Sequence, residues 1–153
     1  MENTGPIIVD RANSFCPARL FKNDDYNIYE QDERSIGLVK IAPANIRLVD
    51  VLAKNEERIK GEERLSRLKQ ADHIRLDANV LLTLWKNQHL VPDDWKKKGR
   101  IFFDGTILRD SRGCRSVLYL RWFSVTWDWR YHSLKSRWDN GYPSAVLPSE
   151  LAL

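Results

Sequence analysis

RIFFDGTILRDSRGCRSVLYLRWFSVTWDWRYHSLKSRW, residues 100–138, holds four of the chain's six tryptophans. Along it, aromatic and β-branched residues alternate with polar ones, the two-residue period of a strand. Asp110-Ser111-Arg112-Gly113 supplies a turn whose glycine suits a left-handed closing position. With that loop Arg109 is expected to face Cys114, and Ile107/Ser116, Gly105/Leu118, Phe103/Leu120 and Ile101/Trp122 follow. A second turn at Ser124-Val125 sets Trp122 against Trp127, Leu120 against Trp129 and Leu118 against Tyr131. Both turns bring apolar side chains to one face, which assigns that face to a core. Val disfavours the positive φ of a primed turn, so a longer loop is the alternative at the second corner. Gly105, between large neighbours, is expected to make room for an indole from an adjacent strand.

The opposite face collects Asp104, Tyr119, Arg121, Asp128 and Arg130, with Phe102 beside them. A one-residue slip would expose Trp127, Trp129 and Tyr131 and bury Asp128 and Arg130, so the register is well specified. Three readings fit this polar face. It can be a ladder of cross-strand ion pairs, each worth a fraction of about 1 kcal/mol. It can bind, with Arg for anions and Tyr for stacking. It can also offer Asp104 and Asp128 as paired carboxylates for acid–base work. Trp95 and Trp138 stand outside the alternation and are the tryptophans expected at a ligand or partner surface.

A chain of 153 residues with 42% hydrophobic and 30% charged residues has the composition of a globule with one real core. A single domain over 1–153 is expected, with residues 1–14 loop-like or poorly ordered. Apolar runs are short, so no membrane span is expected. The opening MENTGPIIVD lacks the basic-then-apolar pattern of a secretory signal, which points to the cytoplasm. Cys16 and Cys114 have no CxxC pairing and read as free thiols of a reducing compartment. Net charge is +4, unevenly placed: residues 86–153 carry 12 Lys and Arg against 7 Asp and Glu. That half is also the aromatic one, a combination permissive for nucleic acid.

Upstream, residues 26–30 and 36–41 read as strands of an N-terminal hairpin around the connector 31–35. IRLVDVL, residues 46–52, reads as a third strand or a lead into a helix. NEERIKGEERLSRLKQ, residues 55–70, is helical by composition, with Glu56/Lys60 and Glu63/Arg67 at i,i+4 and Gly61 dividing it. Asp77 is an N-cap for the apolar helix 78–88, whose stripe of Val80, Leu81, Leu84 and Trp85 should pack on the meander. Asp139-Asn140-Gly141 is a turn, and Pro143 assigns residues 142–147 to an edge strand.

Residues 100–111, RIFFDGTILRDS, look like the first motif of haloacid-dehalogenase-like phosphatases, an apolar strand running into Asp-x-Asp-Gly-Thr. Asp104-Gly105-Thr106 matches its second half. Phe102 stands where that family has its nucleophilic aspartate, so no aspartyl-phosphate can form here. His73, His89 and His132 lack metal-ligand spacing, and no phosphate loop, HExxH helix or nucleophile elbow occurs. Neither a metal nor a cofactor is expected.

These readings converge on an α+β fold: a C-terminal antiparallel β-meander packed against one apolar helix, an N-terminal β-hairpin and a charged helical middle segment. The expected function is a non-catalytic interaction or regulatory module acting through the basic, aromatic C-terminal half, on a protein partner or a second copy of itself. One alternative is nucleic-acid binding, with Lys96, Lys97, Lys98, Arg100 and Arg137 tracking phosphates beside Arg121 and Arg130. The other is a hydrolase using Asp104 and Asp128.

Overall fold

The computed structural model describes residues 5–17, 26–139 and 141–151. Its first half runs β1 (Ile7–Ile8), β2 (Asn27–Gln31), α1 (Glu33–Ile36), β3 (Lys40–Ile41), β4 (Arg47–Val49), β5 (Arg58–Lys60) and α2 (Gly61–Gln70). There follow β6 (His73–Arg75), α3 (Ala78–Lys86), β7 (Arg100–Phe102), β8 (Thr106–Arg109), β9 (Arg115–Phe123), β10 (Thr126–Ser133), β11 (Arg137–Asp139) and β12 (Ser144–Pro148). The fold is α+β. Its main sheet has the order β2-β8-β9-β7-β12-β4, with β10 added on β9 and β6 on β12.

The long hairpin β9–β10 has the expected register: Trp122 faces Trp127, Leu120 faces Trp129 and Leu118 faces Tyr131. Phe123 pairs with Thr126, so the connection is the two-residue turn. Its positive φ, 61°, falls on Ser124, and Val125 is spared the left-handed region. That distribution removes the objection to valine at this corner.

Residues 101–109 are not one strand. β8 pairs Leu108 with Ser116 and Arg109 with Arg115, whereas β7 pairs Ile101 with Leu120 and Phe102 with Tyr119. At the turn, Asp110 N–H donates to the Cys114 carbonyl and Gly113 sits at φ 84°. Cys114 therefore belongs to the loop, which is one residue longer than expected. The shift sends Ile107 to the far face with Val117 and brings Leu108 into register with the core, the consequence of a period of two. Between β7 and β8 the chain bulges at 103–105. Gly105 donates to the Leu76 carbonyl and accepts from Asp32 N–H, both at 2.8 Å. A Cβ there would lie 2.2 Å from the Arg75 carbonyl oxygen, so backbone, not an indole, fills the space beside this glycine.

Each face of the sheet carries a core. On one, α3 lays Val80, Leu81 and Leu84 against Ile101, Phe103, Leu118, Leu120 and Trp127, as its stripe predicts. Ile7 and Val9 join this core, and apart from β1 the described residues 5–14 form no helix or strand. The N-terminal hairpin is made by β1 and β3; β2 joins the main sheet on β8 instead. The expected connector holds α1, whose N-cap Asp32 accepts from Arg34 N–H, and this helical turn steers β2 away from β3.

The second core covers much of the face read as polar: Phe102, Ile107, Val117 and Tyr119 meet Ile59, Leu65, Leu134 and Trp138. The charged middle segment supplies it. Residues 58–60 form β5 on β11, and the helix begins only at Gly61. A Cβ on Gly61 would come within 2.7 Å of Leu134 Cα and Trp138 Nε1, so this glycine permits a close approach rather than dividing a helix. Glu63 and Arg67 pair at 3.2 Å as expected, while Glu56 reaches Arg67 at 2.5 Å from outside the helix. β12 is no edge: it pairs with β4 and β6, and in parallel with β7. Pro143 precedes its first paired residue and contributes only a carbonyl, which accepts from Phe102 N–H. Asn140 of the expected turn and residues 1–4 lie outside the described residues.

Candidate contact surface

Beyond the covered region, the polar face persists at one end of β9 and β10. Arg121 stands opposite Asp128, and Tyr119 opposite Arg130. The Asp128 carboxylate takes Arg121 at 3.5 Å and Arg130 at 3.1 Å. On the other side of β9, Arg100 is opposite Arg121. The Arg100 guanidinium stacks between two phenols, 4.9 Å from the rings of both Tyr119 and Tyr142. Arg121 leans on Phe123 at 4.7 Å, and its buried Nε has no hydrogen-bond partner among the described residues. Arg121 and Arg130 thus share one carboxylate, while Arg100, with no ion pair among the described residues, faces Arg121 across paired strands, an arrangement that destabilises an isolated sheet. An anion supplied from outside would relieve it.

Four of the expected site residues are interior: Asp104, Trp138, Trp95 and Tyr119, the last lying in the second core under Arg100. Asp104 is completely buried in the bulge, paired with Arg64 at 2.6 Å and accepting from the Ser144 hydroxyl, while its carbonyl accepts from Arg75. It does not reach Tyr119, whose cross-strand partner is Phe102. Trp138 is likewise fully buried, 4.1 Å from the Phe102 ring, with its indole N–H donated to the Ser133 carbonyl and Arg64 over its face at 4.4 Å. Trp95 is held in the first core by the 3₁₀ turn Asp93–Lys98. Asp104 and Trp138 are both covered by Arg64, far away along the chain, where strand alternation carries no signal.

Of the basic residues in the nucleic-acid reading, Lys96, Lys97, Lys98, Arg130 and Arg137 are exposed, and Arg100 and Arg121 are half-buried. Lys96 stacks over Trp122 at 4.2 Å and pairs with Asp93, and Lys97 and Lys98 lead directly into Arg100. Arg137 projects from β11 opposite Lys60. Two residues not anticipated complete the surface at the hairpin tip: Phe123 is 59% and Val125 83% exposed. Phe123 continues the alternation Tyr119, Arg121, Phe123, which was the available signal. Beside the tip lies a groove of about 460 Å³ lined by Trp85, Gln88, Phe123 and Asp128.

The acid–base constellation does not assemble, because Asp104 is committed to Arg64 inside and Asp128 to Arg121 and Arg130 outside. The phosphatase-like Asp104-Gly105-Thr106 lies in a bulge between strands that both pair antiparallel with β9, not in a doubly wound parallel sheet. Asp77 takes the N-cap position of α3, yet its carboxylate serves Arg11 and the Ser35 hydroxyl, both at 2.7 Å. The Ala78 N–H goes instead to Thr106 Oγ1. His132 packs 4.8 Å from the Trp138 ring. Burial pushes its pKa down against a backbone hydrogen bond at Arg137 that raises it, and Arg100 and Arg64 add to the lowering. Burial also lowers His73, with Arg75 and Arg34 contributing.

Among the described residues no cluster of His, Cys, Asp or Glu could hold a metal ion, and Cys16 and Cys114 are unpaired. No helix among them is long and apolar enough to cross a membrane. Comparison with known proteins finds no matching family model, no matching curated sequence and no matching solved structure.

Proposed function

We propose that the protein is a non-catalytic binding module whose contact surface is the Arg100/Arg121/Arg130 face with the adjoining hairpin tip. The observation that carries this reading is the opposition of Arg100 and Arg121, with Asp128, paired to Arg121 and Arg130, the one carboxylate among the described residues that serves this cluster. Arg and exposed aromatic side chains side by side are the composition of interface centres, and Phe123 and Val125 supply the apolar part. The partner that fits is a protein segment bearing carboxylates next to apolar side chains. Fluorescence titration with a labelled peptide alternating Glu and Leu tests this. Binding should be saturable, lost in R100Q/R121Q/R130Q and weakened in F123S/V125S; an unchanged affinity in the triple variant refutes the assignment.

Nucleic acid is the second reading, supported by the exposed Lys96–Lys98 run entering Arg100 and by Arg137. Base stacking finds little support on this face, because Tyr119 is buried beneath Arg100. A single-stranded oligonucleotide bound more tightly than the peptide, with a steep loss of affinity in salt, would favour this second reading.

A further inference from the structure

A separate cavity of about 500 Å³ lies between β2 and the turn joining β8 to β9, lined by Asn27, Ile28, Tyr29, Arg109, Ser111 and Arg112 among others. Its volume is that of a small-molecule site. We infer that this cavity binds a small organic phosphate, the phosphoryl group on Arg109 and Arg112 and the organic body against Tyr29 and Ile28.

The charges carry the first half of the inference. Arg109 stands directly opposite Arg115, a second like-charged cross-strand pair, and both guanidiniums stack on Tyr29, at 5.1 and 5.3 Å. Arg115 is neutralised by Glu62, with Glu30 at 3.9 Å. Arg109 and Arg112 form no ion pair among the described residues, so their N–H donors are available to an incoming anion. The carboxylate that lines the cavity, Asp110, turns its Oδ1 into its own turn, where it accepts from the N–H groups of Arg112 and Cys114 at 2.9 and 2.8 Å, and sets one negative charge against the two guanidiniums. Two free guanidiniums can each grip two oxygens of a phosphoryl group, a geometry that a halide cannot satisfy.

The walls carry the second half. Tyr29 is 49% and Ile28 39% exposed, so the cavity has an aromatic and an aliphatic surface ready to cover an organic group. The position keeps this site distinct from the proposed contact surface. Arg115 and Arg121 lie six residue steps apart along β9, about 20 Å at the rise of a strand.

Calorimetric titration of the whole chain with AMP, adenosine and inorganic phosphate at matched ionic strength tests the inference. AMP should bind one to one, inorganic phosphate more weakly, and adenosine not measurably. R109Q/R112Q should lose about tenfold or more of the AMP affinity, as expected for bidentate charge-assisted contacts, while R100Q/R121Q retains it. Y29A should narrow the gap between AMP and phosphate. Arg109 and Arg112 are exposed, so the double variant is expected to keep the native circular dichroism spectrum and Tm. The inference is overturned if AMP shows no saturable binding, if a folded R109Q/R112Q binds it as well as the parent does, or if phosphate equals AMP and Y29A changes nothing.

Discussion

Arg100 and Arg121 occupy directly opposed positions on antiparallel strands, and neither neutralises the other: Arg100 is stacked between Tyr119 and Tyr142, and Arg121 shares Asp128 with Arg130. A double-mutant cycle with R100Q and R121Q should therefore report an unfavourable coupling of about 0.2–1 kcal/mol in the free protein. It should shrink in about 1 M salt, where screening acts within about 3 Å. A favourable or salt-independent coupling would mean that the two guanidiniums do not repel.

Asp104 and Asp128 are expected to differ sharply in what their removal costs. D104A leaves Arg64 buried without its carboxylate and should lose about 3–5 kcal/mol in denaturant unfolding. D128N, on a half-exposed pair, should change stability by no more than about 1 kcal/mol. Similar small losses at both positions would show that Asp104 is not the interior partner of Arg64.

Gly105 is closed in by the backbone of Arg75 and Leu76, which cannot swing aside as a side chain can. G105A should cost about 3 kcal/mol or more, the upper range of overpacking. Ser124→Gly acts in the other direction. It relieves the positive φ of 61° and should raise stability by up to about 1 kcal/mol, and a loss there would contradict the two-residue turn.

His73 and His132 both have pKa values lowered by burial, so the folded state resists protons that the unfolded chain accepts near its ordinary value of about 6.5. Stability should be fully present above that value and fall as pH drops below it toward the folded-state pKa values. Measuring unfolding free energy from pH 7.5 to 5 should show this slope, and H132F should flatten part of it. A pH-independent stability across the window would remove the desolvation of these imidazoles.

The hairpin β9–β10 was legible because its central pairs, Trp122/Trp127, Arg121/Asp128, Leu120/Trp129, Tyr119/Arg130 and Leu118/Tyr131, alternate between an apolar and a polar face. Residues 101–109 looked equally regular, but their break at Asp104-Gly105 is caused by the backbone of Arg75 and Leu76, thirty residues upstream, and no local pattern reports it. The same limit explains Asp104 and Trp138. Each is buried by a residue remote in sequence, Arg64 in both cases, and alternation alone cannot say whether a polar-looking face will later be covered. Arg121, Asp128 and Arg130 were legible as a cluster because they lie on the two strands whose register was readable. Arg100 was placed only among scattered basic residues, since bringing it opposite Arg121 depends on how β7 aligns after the bulge.

If Arg100, Arg121 and Arg130 form a contact surface waiting for an anionic partner, then occupying them must stabilise the fold. Thermal unfolding of the parent chain and of R100Q/R121Q/R130Q, each titrated with the Glu–Leu peptide, decides the matter. The parent Tm should climb with peptide concentration while that of the triple variant stays level. Equal shifts in both proteins, or no shift in either, would contradict it.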